Sequence, residues 1–350
     1  MGLFILRRSA VMILTAICLT FIVFFLTNLF PNLEKLAKTQ GNFRMSDEAV
    51  ISWLGKNGYM QPLPVKYGQW LGVLPGWTLE SDGEYTGRCI KGAVAAAEAQ
   101  EATRFCGILQ GAWGYSTVFK DEVAGIIGTR LGLTGKLMFW VLILMVPSAL
   151  LIGVLAGMRE GSITDRTLST ISIITTATPE YVSGVIFIAI FASSAVGLKW
   201  FKGTATSAME NANFENFFLP VLTISLFGMG YIARMTRASM AEVMTAQYIR
   251  TARLKGVKFS NIVIKHALRN ALIAPFTVIM LQVPWLLNGV VIVETLFNYK
   301  GFGWVLVSAA SNNDIELLLA VSVVSVIVVL VTQLISDIGY VYLNPRIRIS

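Results

Sequence analysis

Residues able to do chemistry are sparse in this sequence. Glu180, directly after Pro179, and Asp337 are acidic residues that stand inside long apolar runs. An ionisable group in such a run faces a cavity or a partner helix and marks a solute or ion path, or else ties two helices together. Gln282, Trp285 and Asn288 bring further polar atoms into another apolar run, and Glu294 closes that run before the glycine-rich turn Gly301-Phe302-Gly303. These residues suit a pathway lining or an outer gate, and they suit interhelix packing equally well. The single histidine, His266, has no Cys, Asp or Glu at metal-ligand spacing, so no metal site is expected there. A partly buried, helix-orienting role is the expectation for it. No nucleophile–base pair and no Gly-x-x-x-x-Gly-Lys-Ser/Thr phosphate loop occurs, so the chain is expected to be no enzyme and to hydrolyse no ATP itself.

The densest cluster of chemical groups lies at 242–270, a basic and helix-favouring segment between two apolar runs. It reads as helix, turn, helix. Arg250, Arg253, Lys255 and Lys258 offer cations to an acidic partner rim. Thr251 and Ala252 are small enough for close approach, and Gly256 supplies a strained turn. Phe259 and Ile262 are expected as apolar anchors for that partner. The plainer reading is an ordinary positively charged inner loop.

The elements that position these groups are set by a bilayer. The 350 residues are 55% hydrophobic and 14% charged, where soluble domains run near a quarter charged. Six apolar runs, roughly 10–30, 135–157, 169–198, 219–240, 271–293 and 317–342, are each long enough to span as helices. The first follows Arg7-Arg8, is longer than a signal-peptide core, and lacks a small-x-small cleavage site after it, so it is expected to be retained. With the N-terminus inside, Lys and Arg collect on inner segments, while the two short outer loops hold only Lys199, Lys202 and Lys300. Both termini are therefore expected in the cytosol. The net charge of +8 follows this topology and gives no reason to expect nucleic-acid binding.

The expected organisation is a tail and first span at 1–30, an outer loop region at 31–132, and a core of spans two to six at 133–345. The outer region carries Trp53, Tyr59, Tyr67, Trp70, Trp77, Tyr85 and Trp113, as interfacial anchors or a small core. Its Ala-rich stretch at 91–101 favours a short helix. Cys89 and Cys106 flank that stretch; an oxidising compartment would let them pair, and otherwise they are two free thiols. Cys18 lies inside the first span as a small apolar filler.

The run Tyr248-Ile249-Arg250-Thr251-Ala252-Arg253, then Lys255-Gly256, followed by His266-x-x-Arg269-Asn270-Ala271, resembles the coupling loop of ABC-importer permeases of the dipeptide/oligopeptide/nickel family. Leu155 to Ser162 with Asp165-Arg166, Pro220 through Ser239, Glu294-Thr295-Leu296-Phe297 with Gly301-Phe302-Gly303, and Asn344-Pro345-Arg346 are similar to further segments of that family in the same order. The segment 78–110 departs from it as an apparent insertion. The wider superfamily has a Glu where Arg250 stands, so a Glu-specific contact is lost.

The resemblance implies an all-α membrane protein with six transmembrane helices in the type I importer fold. It implies a bacterial inner-membrane permease that binds no cofactor. Its partners would be two ATPase subunits using ATP and Mg, a second and non-identical permease, a periplasmic solute-binding protein, and membrane lipid. Peptides or peptide-like solutes are the implied cargo, with nickel chelates, opines and oligosaccharides as alternatives. The contrasting class is an ion-coupled secondary transporter, which needs several intramembrane carboxylates or broken helices in matching halves.

Overall fold

The structure is a computed structural model describing residues 2–81, 84–90, 94–95, 101–194 and 198–343, without the side chains of 2–5, 283–285, 287–289 and 340–343. The C-terminal motif at 344–348 lies outside the described residues.

The helices in chain order are α1 (Gly2–Thr27), α2 (Phe30–Gln40), α3 (Asp47–Lys56), α4 (Leu63–Leu71), α5 (Val123–Gly157), α6 (Ile163–Ala177) and α7 (Glu180–Phe187). They continue with α8 (Phe214–Met244), α9 (Gln247–Leu254), α10 (Phe259–Ala271), α11 (Ile273–Leu296), α12 (Phe302–Ser311) and α13 (Ile315–Leu343). Among the described residues, four helical stretches, Leu6–Thr27, Val123–Gly157, Phe214–Met244 and Ile315–Gly339, are long and apolar enough to cross a bilayer. Two bent pairs pass the same test: Ile163–Ala177 with Glu180–Ala192, bent by 103°, and Phe259–Ala271 with Ile273–Gln282, bent by 51°. The count reaches six when each bent pair is one span.

Three local differences from the sequence expectation have physical causes. The run 169–198 is not one straight helix. Thr178 is extended, as the residue before a proline must tend to be, and Pro179 restarts the chain as α7. The second long helix begins at Val123, not near 135, because strand β4 (Tyr115–Ser116) pairs with β5 (Asp121–Glu122) and delivers the chain straight into it. Within the Ala-rich stretch, Val94–Ala95 is a strand, β3, and no helix. It pairs with β2 (Glu84–Gly87), which pairs in turn with β1 (Thr78–Ser81) in an antiparallel hairpin. Residues 91–93 and 96–100 lie outside the described residues.

Chain contacts divide the molecule into two compact units. Unit 1 is Met1–Ala10, Arg130–Trp304 and Val328–Ser350, and unit 2 is Val11–Thr129 with Val305–Ile327.

In unit 1, α8 is the central helix, packed by α6, α7 and α11. A Cβ on Gly153 would meet Thr236 at 2.4 Å, and one on Gly157 would meet the Arg237 carbonyl oxygen at 2.6 Å. Only a hydrogen at these two positions lets α5 and α8 approach that closely. Leu137, Val141, Met145, Ile224, Ile232, Leu286 and Val293 fill the shared core.

In unit 2, Leu33, Leu36, Val50, Leu54, Tyr67 and Trp70 form a core with Phe24, Ile315 and Leu319. Two of the outer-region aromatics, Tyr67 and Trp70, are thus core residues. Asp314 caps the first turn of α13 by accepting from Leu317 N at 3.2 Å, and it also accepts from Ser116 Oγ at 2.6 Å. Cys89 and Cys106 are joined by a disulfide with Cα atoms 5.5 Å apart and a sequence separation of 17. Closing a loop of this length stabilises by about 3 kcal/mol in the chain-entropy model. Reduction is expected to lower the unfolding temperature of the purified protein. Thiol labelling in denaturant without reductant is expected to modify Cys18 alone, and three labelled cysteines would contradict the bond.

Candidate functional site

The basic segment forms a short amphipathic helix held down by one face. Ile249 of α9 is fully buried in a cluster with Met240, Met244, Ile262, Val263, Ala267 and Ala271. Burying one such side chain contributes roughly 1.5–3 kcal/mol. Tyr248 Oη accepts from Asn270 Nδ2 at 2.9 Å, tying α9 to α10, and Ser239 Oγ donates to the Ala271 carbonyl oxygen at 2.8 Å. Asn270 and Ala271 belong to the His-x-x-Arg-Asn-Ala motif, so that motif acts here by anchoring the helix that precedes it.

The opposite face is open. Arg250, Thr251, Arg253, Lys255, Gly256 and Lys258 are exposed, while Ala252 is half-buried against the cluster beneath. The end of α9 is fixed by backbone geometry. Val257 N donates to the Ala252 carbonyl oxygen at 3.2 Å, and Gly256 N to that of Arg253 at 3.0 Å, with Gly256 at φ +71°. This is a left-handed helix terminus, which glycine adopts at no steric cost. A Cβ at Gly256 would meet nothing within 4 Å, so packing inside the chain does not demand glycine there.

Two expected anchors part company. Phe259 is 38% exposed, with the Arg159 guanidinium 5.4 Å from its ring centre. Ile262 is 1% exposed and belongs to the chain's own core, so it is no surface anchor. Leu254, not singled out from sequence, is 82% exposed at the tip of α9 and is the more available apolar group. His266 is exposed as well, contrary to the partly buried role expected for it. A cavity of about 600 Å3 opens beside the segment, lined by Arg159, Glu160, Met244, Arg253, Val257 and Phe259 among others.

The motif at 159–166 supplies a lock next to this cavity. Asp165 is 3% exposed and accepts from Arg237 Nε at 2.9 Å and from Arg237 Nη2 at 2.7 Å. Gly161 N and Ser169 Oγ complete its shell at 2.9 and 3.1 Å, and Glu160 lies 3.3 Å from the same arginine. This fork-on-fork pair joins α6 to α8.

The polar residues of the apolar runs divide by role. Glu180 is 8% exposed, and its Oε1 is buried with no hydrogen-bond partner among the described residues. Gln282 is equally buried, with Nε2 likewise unsatisfied. The side chains of Trp285 and Asn288 lie outside the described residues. Glu294 is fully buried and satisfied: Thr134 Oγ1 donates to Oε1, and Trp304 N donates to Oε2 at 2.9 Å. Phe302 N donates in turn to Thr134 Oγ1 at 2.7 Å. Glu294 therefore holds the N-terminus of α12 and braces the turn that follows α11. Asp337 pairs with Arg8, whose Nη2 and Nε lie 2.6 and 2.7 Å from its Oδ2. Among the described residues no group of three or more His, Cys, Asp or Glu is placed to hold a metal ion.

The family model described as binding-protein-dependent transport system inner membrane component matches residues 149–349, more than half of the chain. The chain belongs to this family. It is a multi-pass permease subunit of an ABC importer in the inner membrane, with no cofactor of its own, and it works with an ATPase and a substrate-binding protein. ATP hydrolysis resides in separate subunits, so this permease is not an enzyme. Relatives agree. A Sinorhizobium fredii protein named as a peptide ABC transporter permease is 30% identical over 99% of this chain and 100% of its own length. The oligopeptide transport system permease protein of Bacillus subtilis is 35% identical over 69% of this chain and 77% of its own. A chain from inward-facing structures of the MetNI methionine ABC transporter aligns over 62% of this permease and 94% of itself, at 20% identity and a TM-score of 0.46.

Proposed function

We propose that this permease forms half of the translocation pathway of an ATP-driven, binding-protein-dependent importer of peptides, and that α9 is the point at which an ATPase acts on it. The observation that carries the reading is the surface built at α9. One face is locked to α10 by Ile249 and Tyr248, while Arg250, Arg253, Leu254, Lys255 and Lys258 project freely. Motion imposed on the free face passes to α10, which leads through the bend at Leu272 into α11. The complex contains two ATPases, using ATP and Mg, and a second, non-identical permease. Both termini and α9 face the cytosol in this reading, which the distribution of Lys and Arg supports. Peptides are the cargo class because the Sinorhizobium and Bacillus relatives carry peptide names.

ATP binding and hydrolysis bias the pathway between outward-open and inward-open populations, and solute is moved because it interacts differently with the two. Glu180 and Gln282 are the pathway candidates with unsatisfied buried atoms, an acceptor and a donor respectively. A buried polar atom without a partner costs roughly 1–3 kcal/mol, which solute or water in the open pathway would relieve. Glu294, whose carboxylate is spent on α12, acts as scaffold of the outer end. Glu180→Gln is expected to change peptide uptake several-fold at unchanged protein level. Unaltered rate and substrate range would remove Glu180 from the pathway.

The ion-coupled alternative loses one of its carboxylates, since Asp337 is neutralised by Arg8. Mass spectrometry of material co-purifying with the tagged, gently solubilised permease tests the assembly. Recovery of an ATPase and a second permease is the expected result. Reproducible recovery of an active permease alone would overturn it.

A further inference from the structure

The region between α1 and α5 contains a second cavity, of about 990 Å3, whose lining belongs wholly to unit 2. Ligand sites run roughly 300–1,000 Å3. Half-buried Trp53, Trp77 and Trp113 line it, and Trp53 stacks on Tyr59 with ring centres 6.2 Å apart. Flat, rigid aromatic walls of this kind bind apolar or aromatic groups at low entropic cost.

Two opposite charges in the lining lack full partners. Glu316 has Oε2 buried without a hydrogen-bond partner, and its Oε1 faces Arg88 Nη1 at 3.9 Å, beyond hydrogen-bond reach. Its side chain is 26% exposed, so the carboxylate is neither fully hydrated nor paired at close range. Lys66 Nζ donates to Asn28 Oδ1 at 3.2 Å, and no carboxylate pairs with it among the described residues. Burial alone holds the Lys66 ammonium below the ordinary lysine value. A carboxylate with one oxygen lacking a donor and its counter-charge 3.9 Å away, and an ammonium without a carboxylate partner, are together costly in one cavity unless something supplies both complements. The disulfide adds rigidity, because Cys106 lines the cavity and accepts at its carbonyl oxygen from Arg88 Nε at 3.4 Å.

We propose that this cavity binds a free, zwitterionic short peptide, with its terminal ammonium on Glu316, its terminal carboxylate on Lys66, and an apolar side chain against the tryptophans. The choice of peptide among zwitterions rests on the peptide reading above. Cargo would then meet a binding site on the permease itself.

The test uses the assembled importer in nanodiscs without its binding protein, titrated with alanyl-phenylalanyl-alanine by calorimetry and tryptophan fluorescence. Saturable binding is expected. N-acetylation and C-amidation of the peptide should each weaken it about tenfold, the size of one lost charge-assisted hydrogen bond. Glu316→Gln should weaken the free peptide and leave the acetylated one unaffected. Lys66→Met should weaken the free peptide and leave the amidated one unaffected. This pairwise matching separates direct contact from a misfolded variant. Absence of saturable binding at millimolar peptide overturns the proposal, as does binding indifferent to both substitutions. A saturable tryptophan-fluorescence change on adding phosphatidylethanolamine vesicles, with none on adding peptide, also overturns it and assigns the cavity to a lipid headgroup. Uptake of the same peptide by the wild-type importer with its binding protein is measured in parallel. Uptake without permease binding sinks this inference alone, and absence of uptake sinks the peptide reading.

Discussion

Gly256→Trp is expected to cut ATP-driven uptake by roughly 5–150-fold while the purified permease still folds and inserts. The magnitude follows from a coupling free energy of about 1–3 kcal/mol between sites. The physical reason is that the space over Gly256 is empty within this chain and is reserved for whatever docks on α9. A bulky ring fills it. The left-handed backbone at φ +71° complicates the substitution, since a side chain there costs roughly 1–2 kcal/mol whatever its size. Gly256→Asn is the control, because asparagine tolerates that conformation with a small side chain. The Asn variant should retain most uptake and the Trp variant should lose it, with unfolding temperatures close together. Arg250→Glu should act in the same direction through charge, because Arg250 is exposed and held by no ion pair among the described residues. Normal uptake by Gly256→Trp would remove the docking role from this turn.

The second large effect is on stability. Arg237→Ala is expected to destabilise the permease by about 3–5 kcal/mol, because it leaves the Asp165 carboxylate buried without its counter-charge. Asp165 retains Gly161 N and Ser169 Oγ as donors, which hold its geometry but do not neutralise it. The double replacement Asp165→Asn with Arg237→Gln should cost clearly less than Arg237→Ala alone, since it removes the charge together with its partner. Denaturant or thermal unfolding in detergent measures both. A double variant no more stable than the single one would mean that packing between α6 and α8, and not the charge pair, carries the effect. The lock lies beside the cavity at Arg159 and Phe259, so its loss should also loosen the seat of α9.

Much of this was legible in the residue pattern, and the failures are instructive. The long apolar helices could be read because hydropathy over about 20 residues leaves few alternatives. The coupling segment could be read because Arg250, Arg253, Lys255 and Lys258 stand together around a turn glycine. Its inner and outer faces could not. Residues Ile262–Ala267 form a π-helical turn, which shifts the following residues round the axis relative to a regular helix. The residue pattern alone therefore does not separate buried Ile262 from exposed His266. The break at Pro179 was ambiguous because a membrane helix can absorb a proline as a kink. Glu294 gave no sign in the sequence that its carboxylate would reach Trp304 N and Thr134 Oγ1, since the latter comes from a helix far away in the chain. The Ala-rich stretch shows the weakness of propensity, for pairing with β2 overrides it at Val94–Ala95.

The charges that line the unit 2 cavity were hidden for a related reason. Glu316 is more than two hundred residues from Lys66 in sequence, and only the fold brings both into one lining.

The most direct test of the central claim is the energy source of uptake. The permease, its partner permease and the ATPases are reconstituted in proteoliposomes, with binding protein and labelled peptide on one side and ATP with Mg on the other. Uptake is expected to require ATP and the binding protein, and to be indifferent to ionophores that collapse proton and sodium gradients. Uptake that persists without ATP and disappears with the ionophores would contradict the account and make this chain an ion-coupled transporter.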